Sequence, residues 1–258
     1  MKKLVALLLL FSSQVYALSD CADKPTCEEI GYTHNEYACD QKIAMPCPFD
    51  SSKIYCPGPV CEPGYFLYSD GSCSLALKSD KTVIGIVFDK EWRLAVSVEP
   101  VQRLQWGNNG NFNEEGLIVI PDFAYNRCSG EECERYKNGR TNTQTIVNFA
   151  VANGYSYPAA EYCYNLSALG KGKGNWWLAS YAEMEKFCPA KDAVNASLLK
   201  LGKSEMPLTS YWTSGQRVSV AEDGTETSTL ALYFNTNNCS GVHYGKVSSL
   251  PIPCITRY

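Results

Sequence analysis

The hydrophobic pattern of this chain is strand-like at both ends of its long C-terminal region and helical in between. Lys81–Phe88 (KTVIGIVF) and Trp92–Val98 (WRLAVSV) are apolar, β-branched runs on either side of polar Asp89-Lys90-Glu91, which predicts a β-hairpin. A Gly/Asn loop, Gln105–Gly116 (QWGNNGNFNEEG), precedes a short strand at Leu117–Pro121. Helical spacing follows at Gln144–Asn153, where Ile146, Phe149 and Ala150 share a face. Asn138–Thr143 places cap-forming residues before that helix, and Gly154 stops it. Tyr157–Asn165 predicts a short second helix carrying Cys163; Tyr181–Cys188 and Ala190–Leu201 predict a third, broken or kinked at Pro189. From Tyr211 strands return: Tyr211–Gly215, Gln216–Val220, Thr229–Asn235 and Leu250–Tyr258, with a turn at Glu222-Asp223-Gly224. Helices grouped between a hairpin and an antiparallel meander make an α+β domain.

Its organising stretch is Gly174–Met184 (GNWWLASYAEM). Trp176 and Trp177 bring more apolar area than any other adjacent pair, and Ser180 with Glu183 has the spacing of a helix capping box. A tryptophan strand therefore runs into a capped helix. Tyr211–Gln216 (YWTSGQ) supplies a second aromatic strand to meet that pair in one core.

The N-terminal part has a different character. Lys2 and Lys3, an apolar run from Leu4 to Phe11 and small residues near Ala17 predict a secretory signal peptide over residues 1–17, too short in its apolar run to span a bilayer. Thirteen cysteines in an exported chain predict disulfides, whereas a zinc site would want more than His34 and His243 and paired CxxC motifs. Seven cysteines, Cys21, Cys27, Cys39, Cys47, Cys56, Cys61 and Cys73, crowd residues 18–79 with almost no apolar run between them. Such a segment is held by disulfides rather than by a core. Residues 18–73 also carry nine acids against three lysines, while 74–258 balance to zero, so a domain boundary is expected near Ser79. The piece Cys61–Cys73 reads as a hairpin around an Asp70-Gly71 turn and resembles the last disulfide loop of an EGF-like module. An odd cysteine is left over: it pairs with the C-terminal domain, or stays free or intermolecular. Cys128 and Cys133 enclose a loop small enough for a local disulfide.

Four ordered words carry a resemblance: Asn142-Thr143, Trp176-Trp177-Leu178-Ala179-Ser180 with Glu183, Tyr211-Trp212-Thr213-Ser214, and Cys254-Ile255-Thr256-Arg257-Tyr258. They resemble the C-type-lectin-like fold, in particular bacterial secreted families with domains of unknown function that include the C-terminal domain of the Legionella collagen-like adhesin. Ala179 stands where those families usually have Pro. The resemblance covers residues 82–258, so the expected organisation is a signal peptide (1–17), a small cysteine-rich disulfide module (18–79) and a C-type-lectin-like domain (80–258). It implies that the first hairpin lies beside the last strand. It also implies disulfides Cys163–Cys254 and Cys188–Cys239.

The chemistry is sparse. Without residues 1–17 the chain holds 21 basic and 27 acidic residues, which argues against nucleic acid and anionic membrane surfaces as partners. Calcium-binding lectin triplets are missing; Asn108, Asn109, Asn111, Asn113, Glu114 and Glu115 are oxygen-rich, but alternating Asn and Gly is ordinary turn chemistry and the EF-hand spacing is absent. No cofactor or metal site is expected. His243 has no acid–Ser arrangement, Glu183 is explained as a cap, and Cys239 and Cys254 are too far apart for cysteine-based oxidation. No catalytic residue is assigned. The expected function is a secreted or cell-surface binding or adhesion protein; the alternative is an extracytoplasmic hydrolase or modifying enzyme on the same scaffold. Loops such as Gln105–Gly116 and Asn235–Tyr244, the latter with Asn235, Asn237, Asn238, His243 and Tyr244, would face a glycan, matrix or cell-surface protein.

Overall fold

The computed structural model describes residues 61–107, 119–120, 138–167 and 171–258, together with the backbone of two N-terminal strands. Two compact units divide the chain, Met1–Pro59 and Val60–Tyr258. In the first, Met45–Cys47 (β1) and Asp50–Tyr55 (β2) form an antiparallel hairpin with Met45 opposite Tyr55. The expected signal peptide at 1–17, Cys21, Cys27, Cys39 and Cys56, the Asn-rich stretch 108–118 and the Cys128–Cys133 loop lie outside the described residues.

The second unit begins before the expected boundary near Ser79. Phe66–Tyr68 (β3) and Cys73–Ser74 (β4), which cysteine density assigns to the N-terminal module, are strands of the larger sheet, paired onto Val83–Asp89 (β5). Burial explains the shift. Successive strand residues face opposite sides, yet Phe66, Leu67 and Tyr68 are all fully buried, so this hairpin belongs to a core. The Cys61–Cys73 disulfide bridges its ends.

The chain then runs through Leu94–Ser97 (β6), Arg103–Gln105 (β7), helices Gly139–Asn153 (α1) and Pro158–Asn165 (α2), Trp177–Leu178 (β8) and helix Tyr181–Phe187 (α3). A 3₁₀ turn at Cys188–Ala190 leads into helix Lys191–Lys200 (α4). Five strands complete it: Ser210–Val220 (β9), Glu226–Asn235 (β10), His243–Gly245 (β11), Ser249–Pro251 (β12) and Cys254–Arg257 (β13). The fold is α+β. Its main sheet has the order β4-β3-β5-β6-β13-β8, beside a ribbon β11-β10-β9 and a pair β12-β7, every pairing antiparallel.

The first hairpin, β5 and β6, lies against the terminal strand, with Ile255 opposite Val96 and Arg257 opposite Leu94. Glycine at 85 permits the packing over it: a Cβ there would come within 2.9 Å of the Val96 carbonyl oxygen and 3.5 Å of Trp176 Cη2. Trp176, Trp177, Tyr211 and Trp212 share one core.

Several elements differ from their expected bounds, three of them for a physical reason. Helix α1 starts at Gly139, because the Asn138 side chain caps it by accepting from Thr141 N at 3.0 Å. Leu250–Tyr258 is two strands, since Pro251 and Pro253 lack an N–H to continue one ladder. Tyr211–Gly215 and Gln216–Val220 form one strand whose pairing to β10 shifts register twice. At Pro189 the expected interruption is the 3₁₀ turn between α3 and α4.

Asn142 and Thr143, read from sequence as residues before a helix, lie inside α1 and face the sheet. Thr143 Oγ1 accepts from Leu178 N at 3.0 Å, and Asn142 Nδ2 donates to Ser214 Oγ at 3.0 Å. Ser214 N donates to the Ala179 carbonyl at 2.8 Å, while Cys254 and Ile255 pair with Leu178 and Trp177. All four sequence words thus meet at β8. Disulfides Cys163–Cys254 and Cys188–Cys239, the pairs implied by the resemblance, tie α2 to β13 and the 3₁₀ turn to the loop after β10.

Candidate functional site

A cleft of about 490 Å³ opens between the segment leaving β6 and the segment leaving α4. That volume lies in the range of ligand pockets, roughly 300–1,000 Å³. Its floor is aliphatic, with Val98, Leu198 and Met206 buried.

Each wall is fixed by hydrogen bonds. On the first, Ser97 Oγ accepts from Glu99 N at 3.0 Å, the Gln102 carbonyl accepts from Ile252 N at 3.0 Å, and Arg103 donates to the Ser249 carbonyl at 2.9 Å. On the second, the chain leaves helix α4 through Leu201 and turns at Gly202, whose φ of 68° is the left-handed conformation that glycine adopts most readily. The side chain of buried Asn195 then clasps the Met206 backbone in both senses, accepting from its N–H at 2.9 Å and donating to its carbonyl at 3.2 Å. Tyr211 donates to the Pro207 carbonyl at 2.7 Å. Walls held this way need little ordering when a ligand arrives.

The expected ligand residues of the Asn235–Tyr244 loop divide between two roles. Asn237 Nδ2 donates to the Leu208 carbonyl at 3.0 Å, and Thr236 exchanges hydrogen bonds with Thr209. The loop therefore braces the chain just beyond the second wall. Asn235 also turns inward, its Oδ1 accepting from Asn237 N and its Nδ2 donating to Ser210. Cys188–Cys239 and the Lys191 ammonium, 2.9 Å from the Thr236 carbonyl, anchor that brace to the helices. Asn238 and Tyr244 are exposed; the Tyr244 ring stands edge-to-face against Tyr233, centroids 6.1 Å apart, and 6.5 Å from Trp212. His243 is half-buried, its pKa lowered by burial and then by Arg217.

Two deeply buried ionisable groups lie among the core elements. The Glu183 carboxylate completes the capping box, accepting from Ser180 N at 2.6 Å, and also accepts from Trp177 Nε1 at 3.2 and 3.3 Å. Burial pushes its pKa up to about 7 despite those hydrogen bonds and the pull of Arg257. The Lys246 amine donates to Gln216 Oε1 at 3.1 Å and sits 4.8 Å from the centre of the Trp106 ring; burial lowers its pKa to about 7. Gln216 Oε1 also accepts from Ser228, and its amide donates to the Ile120 carbonyl. The hydrogen-bond partners of Glu183 and Lys246 have no residue in common.

The sequence reading did not single out the cleft. Its available signal was the segment Gly202-Lys203-Ser204-Glu205-Met206-Pro207, turn chemistry with alternating charge directly after a helix. Nothing in the pattern around Lys246 marks it as buried. Among the described residues no cluster of His, Cys, Asp or Glu is arranged to hold a metal ion.

No protein-family model matches the chain, and no curated protein matches it. Among solved structures it is similar to a fimbrial protein from Bacteroides ovatus, with a TM-score of 0.52 and 12% sequence identity, over 76% of this chain and 48% of that one. The chain spans about half the length of that neighbour, and at this identity the likeness is one of fold.

Proposed function

We propose that the protein is an exported binding or adhesion protein on a C-type-lectin-like scaffold, with the preformed cleft as its ligand site. The observation that carries this reading is the cleft itself, walled by backbone pinned on both sides and mounted on a disulfide-braced core. Three disulfides among the described residues suit an oxidising compartment, and no helix among them is long and apolar enough to cross a membrane. The pairing of the first hairpin with the last strand supports the lectin-like reading. The fimbrial fold neighbour is consistent with a surface role.

A second ligand surface on the same protein is favoured by the exposed Tyr244 ring beside Tyr233, a platform on which a sugar ring can stack, with Asn238 and His243 nearby in sequence. The test is an array of glycans, matrix components and cell-surface proteins, probed by the chain without residues 1–17 in the presence and absence of EDTA. Reproducible, EDTA-insensitive binding is expected. Silent arrays together with turnover in a hydrolase substrate panel would overturn the binding reading in favour of an enzyme.

A further inference from the structure

We infer that the cleft takes an extended segment of polypeptide in which an apolar residue is flanked by residues of opposite charge. This rests on the cleft being the ligand site. Glu99 and Arg103 stand on one wall, Lys203 and Glu205 on the other, so each wall offers one anion and one cation. Among the described residues none of the four is in an ion pair. Between them lies an aliphatic floor.

Other ligand classes fit this lining poorly. A pyranose ring is commonly held by stacking on an aromatic face, and the cleft has no aromatic residue. A phosphate or other small anion would meet the carboxylates of Glu99 and Glu205 beside the two cations, and a metal cation would meet Arg103 and Lys203 beside the two acids. A peptide segment has what the lining lacks: backbone donors and acceptors, an apolar side chain for the floor, and charges of both signs spaced along one chain. The rigid walls limit the conformational cost of binding to that of the ligand.

The test screens the chain without residues 1–17 against a display library of short linear peptides. Enriched peptides are then synthesised, labelled and titrated by fluorescence anisotropy, alongside the glycan array. Enrichment of sequences with an apolar residue between an acid and a base is expected. Affinity should fall about tenfold in the double variant Arg103→Glu with Lys203→Glu, and a peptide with its acid changed to Lys should recover part of the loss. Both side chains are exposed, and the variant should fold with a melting temperature lowered only by the loss of the Arg103 bond to the Ser249 carbonyl; the single variant Lys203→Glu, which breaks no such bond, should keep the wild-type melting temperature and show part of the affinity loss. The inference is overturned if no sequence is enriched, or if the enriched peptides bind wild type and double variant equally. Glycan binding with a silent peptide library overturns the peptide assignment and leaves the binding function standing; silence of both removes both.

Discussion

Replacing Glu183 by glutamine gives a direct reading of how this core is held together. The carboxyl is buried and its pKa stands near 7 against an ordinary 4.5. For an acid whose folded-state pKa is raised, the native state binds its proton more tightly than the unfolded chain does. Its stabilising effect is complete below pH 4.5 and is lost as pH rises through 7. At 1.36 kcal/mol per pKa unit, this group removes about 3 kcal/mol of stability across that window. The substituted amide carries no charge at any pH. Its oxygen can still accept from Ser180 N, but its amide N–H would point toward the Trp177 indole N–H, one donor against another. The Glu183→Gln variant should therefore be less stable than wild type near pH 4.5, and the gap should narrow by about 3 kcal/mol by pH 8. Urea unfolding at a series of pH values measures this, and the difference between the two curves cancels titrations common to both proteins. Parallel curves would refute the reasoning, because they would mean that Arg257 and the cap hydrogen bonds already keep the buried carboxylate ionised at low pH.

Other perturbations separate the remaining features. Lys246→Met should behave in the opposite sense: the native state favours the neutral amine, so the wild type loses stability as pH falls from 10.5 through 7, and the variant should gain on it by up to about 5 kcal/mol over that fall, read by the same unfolding series. Gln216 keeps its bond from Ser228 in that variant. Replacing Cys163 and Cys254 by Ala releases a loop spanning 91 residues and should cost about 4 kcal/mol, measured by urea unfolding under non-reducing conditions. Asn195→Ala removes both hydrogen bonds to Met206 and should cost about 2 kcal/mol, with faster amide exchange over residues 203–207.

Much of the fold was legible in the sequence because it follows from local rules. The capping box at Ser180 and Glu183 is a spacing, and the β5–β6 hairpin is a run of β-branched residues around a polar turn. The boundary was misplaced because cysteine density tracks crosslinks, while Phe66–Tyr68 shows its allegiance only once β5 is present to pair with it. Asn142 and Thr143 are good capping residues by type; only the distant β8 and β9 turn them into core hydrogen-bond partners. The loop 235–244 was noticed for its polar side chains, yet Asn235 and Asn237 spend theirs on the protein's own backbone and on Ser210. The cleft is formed by segments about a hundred residues apart, Ser97–Arg103 and Gly202–Pro207, so no window of sequence contains it. Buried charge is equally non-local: Lys246 becomes a core residue through Trp106 and Gln216.

The most direct measurement is binding by a variant in which the cleft is filled. Ser204 is exposed and lines the second wall, so Ser204→Trp adds bulk there while leaving the core and the disulfides untouched. With whichever ligand the arrays or the peptide library yield, the variant should keep the wild-type melting temperature and lose binding. Unchanged affinity in the folded variant would contradict the assignment of the cleft as the ligand site.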